Sequence, residues 1–530
     1  MLKLKITILC LIILLSLSIS CQRQQLSKEE LLTTLDSLEH KLDWLDYKIA
    51  LEYWDFYTTG KPDSLKFYQA LYNFVLNDND IFTKLRTGKR LLTDGNEKRR
   101  LELIYDSFLL GRIETNNEIT HLRDSLSSIN INYRAELDGE KRTANYLYKT
   151  YRSDSNRSHR EKAYRAWCAV GREMSDGLAH LFRIRNREAH RLGYNSYLGL
   201  VFKLMNIKSD EYLTLLERLD SLSEQPYLKI LEKAGNKLNV NKIELWDLAY
   251  TYSDINKQID WFFPVDSQLK YVKESLKGIG FNLDKLPIYF DLKPKEGKSQ
   301  FAYAFTIKAP YDMRVLANLY DGLYSTRVLL HEIGHTLHSA FINQDNALFS
   351  DAAMLDGSWA EGMAQITTSL IDKENWLSKY ANIPPRLVSQ YLEAKKEQDI
   401  IYLRTTLLRL NFEYEAYLNP NRDLNKLYWE LFERYLHLPR HENIYPWAAI
   451  IHYTTHPVYL QNYLFADIIT AQTMNFIQNN YGDPVDNTML KSFLVQNYYR
   501  FGTRYNWRDL LKRGTDEELN PDYLIKKLGI

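Results

Sequence analysis

Cysteine is nearly absent from this chain. Of 530 residues three are Cys, at positions 10, 21 and 168. Two of them fall within or just after the leading apolar run. The remaining body therefore has no second thiol for an intrachain disulfide, and its fold must rest on its core. Glycine and proline are also sparse, at 21 and 14, while leucine and charged residues recur throughout, a composition that favours helix. There is no internal repeat and no low-complexity linker. A net charge of one sign is missing too: 68 basic and 67 acidic side chains leave +1. With no basic tract to compensate, nothing draws the chain to nucleic acid. Tyrosine, by contrast, is abundant at 39; such rings suit helix interfaces and can also line a peptide channel.

The apolar run Ile6 to Leu17 is too short to span a bilayer comfortably. It follows Lys3 and Lys5, so residues 1–20 read as an export signal. The run ends Leu17-Ser-Ile-Ser20-Cys21. Small residues before a Cys resemble a bacterial lipoprotein box, although Ser18 stands where Leu is preferred. The expectation is a lipidated Cys21, a tether over 21–26, and membrane contact through that lipid alone. Ordinary cleavage releasing a soluble chain is the alternative. Gln22 after the Cys leans toward an outer-membrane lipoprotein of the bacterial envelope, facing periplasm or cell surface. The single Cys left in the body, Cys168, sits in a helical pattern and reads as a small buried hydrophobe.

Ser27-Lys-Glu-Glu30 has the form of a capping box and opens a helix with Leu31, Leu35, Leu38, Leu42 and Leu45 on one stripe. The stripe turns aromatic at Trp54, Phe56 and Tyr57, which favours packing inside the protein over a coiled-coil seam. Gly60-Lys-Pro62-Asp63 breaks the pattern. Helical periodicity resumes around 64–77, 80–92, 96–128, 142–192, 209–236, 254–279, 385–438 and 457–480. Only 288–320 reads convincingly as strand, in pieces at 288–292, 300–307 and 315–319.

The chemistry concentrates in Val328-Leu-Leu-His331-Glu332-Ile-Gly-His335-Thr-Leu-His338. Residues i and i+4 lie above one another on a helix, so His331 and His335 can present two imidazoles to one metal. Glu332 lands beside them, placed to take a proton from water. A catalytic zinc usually has three protein ligands and one open position. Glu361, in the later segment Gly357-Ser-Trp-Ala-Glu361-Gly-Met-Ala-Gln365, is the candidate third ligand. The gap between the two segments suits a helix, a polar loop over Asp345 to Asp351, and a returning helix.

These residues resemble the thimet oligopeptidase and oligopeptidase F family of zinc peptidases. The pattern there is His-Glu-x-Gly-His-x-x-His, then a ligand Glu with Gln one turn beyond. Tyr289-Phe-Asp291-Leu-Lys-Pro294-Lys-Glu-Gly297-Lys298 is similar to the family's strand and turn, which would make Phe301 to Phe305 the edge strand along which substrate lies. The segment Ser153 to Tyr197, with Arg160-Glu-Lys-Ala-Tyr-Arg-Ala-Trp167, resembles angiotensin-converting-enzyme-like peptidases of the same architecture. The resemblance implies a mostly helical, two-lobed metallopeptidase with a deep cleft and one small sheet beside the zinc. Residues 27–285 would be the helical region covering the cleft, and 286–530 the catalytic region.

The resemblance also implies one Zn2+ per chain, a Glu general base, and short peptides as substrates of a chain expected to be monomeric. In both families the segment matching Ile451 to Asp467 contributes a His and a Tyr to the transition state. Here these would be His452 and Tyr463, with Tyr459 as the alternative. Asn462 stands where the converting-enzyme-like proteins place a chloride-binding Arg, so no chloride activation is expected. Gln365 is a candidate to orient a ligand His, and His338 a structural neighbour. Arg314, Arg500 and Arg504 are candidate sites for a peptide carboxylate. Endopeptidase and dipeptidyl carboxypeptidase activity both remain open, as does a peptide-binding lipoprotein of the same fold without turnover; the intact Glu332 argues against the last.

Overall fold

The computed structural model describes residues 26–61, 63–343 and 357–530. The export signal, Cys21 and most of the tether lie outside the described residues, as does the loop at 345–351. No described helix is long and apolar enough to cross a membrane.

The chain is mostly helical. The first helix, α1 (Lys28–Thr59), begins where Ser27 Oγ accepts the Glu30 amide at 3.1 Å. The reciprocal half of the expected box is not formed, because Glu30 pairs with Lys84 at 2.9 Å. Leu31, Leu35, Leu38, Leu42 and Leu45 are all buried, so the stripe faces the protein's own core. Gly60 ends the helix at φ 74°, a conformation that glycine adopts without Cβ strain. Other main elements are α2 (Gly95–Glu114) and α3 (Val170–Arg191). A hairpin, β1 (Ala135–Leu137) and β2 (Glu140–Arg142), lies between α2 and α3. It is a second small sheet where only one had been expected. Cys168 is buried against this region, and burial pushes its thiol up to about 12.

The other sheet has three strands: β3 (Ile288–Asp291), β4 (Tyr303–Lys308) and β5 (Asp312–Leu316). β5 is central, parallel to β3 and antiparallel to β4. β4 is thus an edge, and its first residues overlap the stretch expected to be one. The turn between β3 and β4 is held by Lys298, which is 5% exposed. Its ammonium donates to the Asp291 carboxylate (2.8 Å) and to the carbonyls of Asp291, Lys293 and Ala317 (2.9, 3.0 and 2.8 Å). Four acceptors satisfy a charge that could not otherwise be buried. Lys298→Met leaves those acceptors facing an apolar chain. It should reduce stability by about 2–4 kcal/mol, measured by denaturant unfolding.

Beyond the sheet come α4 (Leu323–Ala340), α5 (Gly357–Thr368), α6 (Pro385–Leu418) and α7 (Gln461–Tyr481). One continuous cluster of buried apolar side chains runs from Leu31 to Leu528. α1 reaches β4 through ring contacts, Trp54 on Phe305 and Tyr57 on Tyr303 at 5.6 and 4.5 Å.

Candidate metal centre

α4 carries His331, Glu332, His335 and His338, and its position is set at both ends. The Leu323 amide at its start donates to Asp260 at 2.9 Å, while near its end Ser339 bonds Thr306 of β4 at 2.7 Å. Leu329, Leu330, Ile333 and Leu337 are fully buried, fixing the helix's rotation. α5 crosses beside it at Gly334. A Cβ at position 334 would sit 2.3 Å from Thr367 Oγ1 and 2.7 Å from the Ala364 Cα. On the other side of α5, Gly357 lies against Asn462 and Tyr459, and Gly362 against Ile469 of α7. Small residues on two faces thus let α5 slot between α4 and α7 and carry Glu361 inward. Gly334→Ala would push α4 and α5 apart. We expect a loss of about 1–3 kcal/mol and weaker metal retention, read by thermal unfolding and metal analysis.

The crossing brings three donor atoms together. The His331 and His335 Nε2 atoms are 3.2 Å apart, and Glu361 Oε2 lies 3.3 and 3.9 Å from them. With bonds of about 2.0–2.1 Å, a four-coordinate zinc has ligand–ligand edges of about 3.3–3.4 Å. The triangle therefore fits such an ion. Glu361 Oε2 is buried without a well-formed hydrogen bond, as expected of an atom aimed at a cation. Its other oxygen accepts the Tyr459 hydroxyl at 2.6 Å. His335 has Nε2 turned to the triangle, and the Ala360 backbone is a further partner of its ring.

Two of the three donors have protonation states that suit a metal; His331 is instead raised, because Glu361 and Glu332 outweigh the effect of its burial. Burial resists ionisation of Glu361, but His331 at 3.3 Å, His335 and the Tyr459 hydroxyl outweigh it and hold the carboxyl down to about 2. Burial and the neighbouring His331 push His335 down to about 4, leaving it neutral. A neutral imidazole and an ionised carboxylate are the forms that ligate. Glu332 differs: burial raises it to about 7, with Glu361 adding to the rise and His331 and the Ala304 amide opposing it. That amide belongs to β4, which places the Glu332 carboxylate beside the edge strand.

The remaining candidates separate by position. His452 and Tyr463 face each other with ring centres 6.2 Å apart, and Tyr463 lies 5.7 Å from Tyr459. Burial, aided by His456 and Arg409, pushes His452 down to about 4. Burial, then Glu361, raises the Tyr463 phenol, which stays protonated. Tyr459 is engaged by Glu361. Among the described residues Gln365 makes no hydrogen bond to either imidazole; the Ala360 backbone takes that part for His335. His338 packs on Tyr499 at 5.3 Å, and its Nε2 is buried without a partner. Asn462 accepts from Ser358 at 2.8 Å. Arg314 forks onto Asp312, and Arg504 donates to Asn96 at 3.0 Å.

Several supporting residues had no local sequence signal. Arg185 of α3, paired with Glu114, donates to the carbonyls of Tyr453 and Thr454 at 2.9 Å each, gripping the chain next to His452. Glu413 of α6 accepts the Val458 amide at 2.7 Å. Val458 has φ 53°, an unfavourable conformation for a β-branched residue. It sits immediately before Tyr459.

Two half-buried imidazoles and a buried carboxylate, on two crossing helices beside a strand edge, form a group that could hold a metal ion, with a second carboxylate at its flank. The chain belongs to peptidase family M3, whose family model matches residues 150–481. It is also similar to the group B oligopeptidase PepB of Streptococcus agalactiae serotype III (strain NEM316), with 25% identity over 309 residues. That alignment covers 54% of this chain and 47% of the relative, so the chain spans about half the length of the curated protein it matches.

Proposed function

We propose that this chain is a zinc-dependent peptidase that hydrolyses short oligopeptides. The observation carrying this reading is the His331–His335–Glu361 triangle, with Glu332 next to the first ligand and near the Ala304 amide of the edge strand. When bound, the zinc would supply Lewis acidity and make water a nucleophile at neutral pH. An extended peptide would lie along β4, whose free edge offers main-chain hydrogen bonds. Glu332 would take the proton of the attacking water and pass it to the departing amine. Neutral His452 and protonated Tyr463 would each donate a hydrogen to the oxyanion. Tyr459 would keep the Glu361 carboxylate turned toward the two imidazoles. The family membership and the oligopeptidase relative support peptides as the substrate class. From the sequence alone we further propose a lipidated Cys21 anchoring the mature chain in the bacterial envelope, against release as a soluble chain; Cys21→Ala should abolish membrane partitioning, and unchanged partitioning would overturn this.

The function test is digestion of a mixed library of short peptides by the zinc-loaded protein, read by mass spectrometry. Cleavage should vanish on chelation and return with zinc. A protein that holds one zinc and cuts nothing would overturn the proposal.

The pH profile gives a further check. Burial, with Glu361 adding and His331 and the Ala304 amide opposing, raises Glu332 to about 7, and a dication nearby favours the carboxylate form. Activity needs the ionised base, so kcat/KM should be full above this value and fall as pH drops through an acid limb below about 7. A limb near pH 8 would contradict the assignment.

A further inference from the structure

The side of the centre occupied by His452 is rich in cations. Arg185 and Arg123 both pair with Glu114. Arg409, on α6, differs from them. It is half-buried, yet among the described residues its guanidinium makes no hydrogen bond or ion pair. Glu413, one turn further along the same helix, does not serve it, because that carboxyl is turned to the Val458 amide and Arg185. The Arg409 backbone is anchored beside the transition-state segment, since its carbonyl accepts the Tyr453 hydroxyl at 3.0 Å. Its charge is felt at the His452 ring.

A partly desolvated guanidinium without an anion is unfavourable unless a ligand supplies one. Its planar fork matches a carboxylate through two parallel hydrogen bonds. Two of the three arginines singled out in the sequence for this role, Arg314 and Arg504, are already engaged by Asp312 and Asn96, and Arg500 is not free either.

We propose that Arg409 is a specificity-determining residue that binds a carboxylate of the peptide substrate on the His452 side of the metal centre. This rests on the peptidase reading for its context. A carboxylate can come from the peptide's C-terminus or from an acidic side chain, and the two sources are separable.

The test uses the zinc-loaded full chain with and without Arg409→Met, each also carrying Glu332→Gln for binding measurements. Four labelled short peptides of one sequence serve as probes: free acid, C-terminal amide, and amides with an internal Glu or Gln. Fluorescence anisotropy should show the free acid binding about tenfold or more tighter than the amide. Arg409→Met should bring that ratio close to one, with zinc content and thermal midpoint unchanged. If the preference follows Glu over Gln instead, the carboxylate is that of a side chain. A ratio that survives Arg409→Met, or no preference and no binding at all, overturns the proposal. Carboxylate-selective binding, with no hydrolysis of any of the peptides by the zinc-loaded chain that keeps Glu332, would remove the peptidase reading and leave the carboxylate site standing.

Discussion

Glu332→Gln should lower kcat/KM by about 10²–10⁴-fold, the usual contribution of a positioned general base, while zinc content and peptide affinity stay close to those of the parent. Gln retains an oxygen to accept the Ala304 amide, so its place beside the strand is preserved. What it loses is the ability to hold a proton in transit. The same substitution has a stability signature of opposite sign. In the metal-free protein the carboxyl is raised from 4.5 to about 7. Folding therefore favours its protonated form, and that contribution is present below pH 4.5 and lost as pH rises to about 7. Above that pH, metal-free Glu332→Gln should be more stable than the parent by as much as about 3 kcal/mol. Steady-state kinetics and urea unfolding at pH 8 check the two halves. Activity within tenfold of the parent would sink the assignment.

Glu361→Ala should fail differently. It removes one corner of the ligand triangle and leaves the Tyr459 hydroxyl and two imidazoles facing a gap. Outer partners of metal ligands are worth about 10–100-fold in affinity, so loss of a ligand should exceed about 100-fold. Zinc should be lost on dialysis, with activity at the level of the chelated parent. Competition with a chromogenic chelator measures this directly. The two variants are then distinguishable: Glu332→Gln is inactive with zinc bound, and Glu361→Ala is inactive because zinc is gone. Retention of stoichiometric zinc by Glu361→Ala would mean that the metal sits elsewhere.

Much of this architecture is legible in sequence because it is local. The His331–His335 spacing, the leucine stripe from Leu31 to Leu45 and the edge-strand stretch each declare themselves within a few turns of chain. Asp138-Gly139 between short alternating segments is a hairpin turn, and both residues have positive φ, 51° and 82°. The expected single helix over 96–128 divides at Asn116, and that over 142–192 divides first at Asn156; each Asn side chain caps the helix that follows. The supports of the site were hidden for another reason. Tyr459 on Glu361, Arg185 on the Tyr453 and Thr454 carbonyls, and Glu413 on Val458 join residues far apart in the chain. Only the packing of α3, α5, α6 and α7 brings them together, and no spacing rule foretells that.

The left-handed Val458 has a bearing on engineering. Holding such a conformation costs roughly 1–3 kcal/mol, against a total of about 5–15 kcal/mol for a typical fold. A search for thermostable variants would be drawn to this position, where glycine relieves the torsion. It is a poor place to take that gain. The Glu413 bond and the strained torsion together aim the chain into Tyr459, and so govern how the Glu361 carboxylate is presented. Robustness to heat and competence of the centre are therefore opposed at this residue, and selection for the first alone would erode the second.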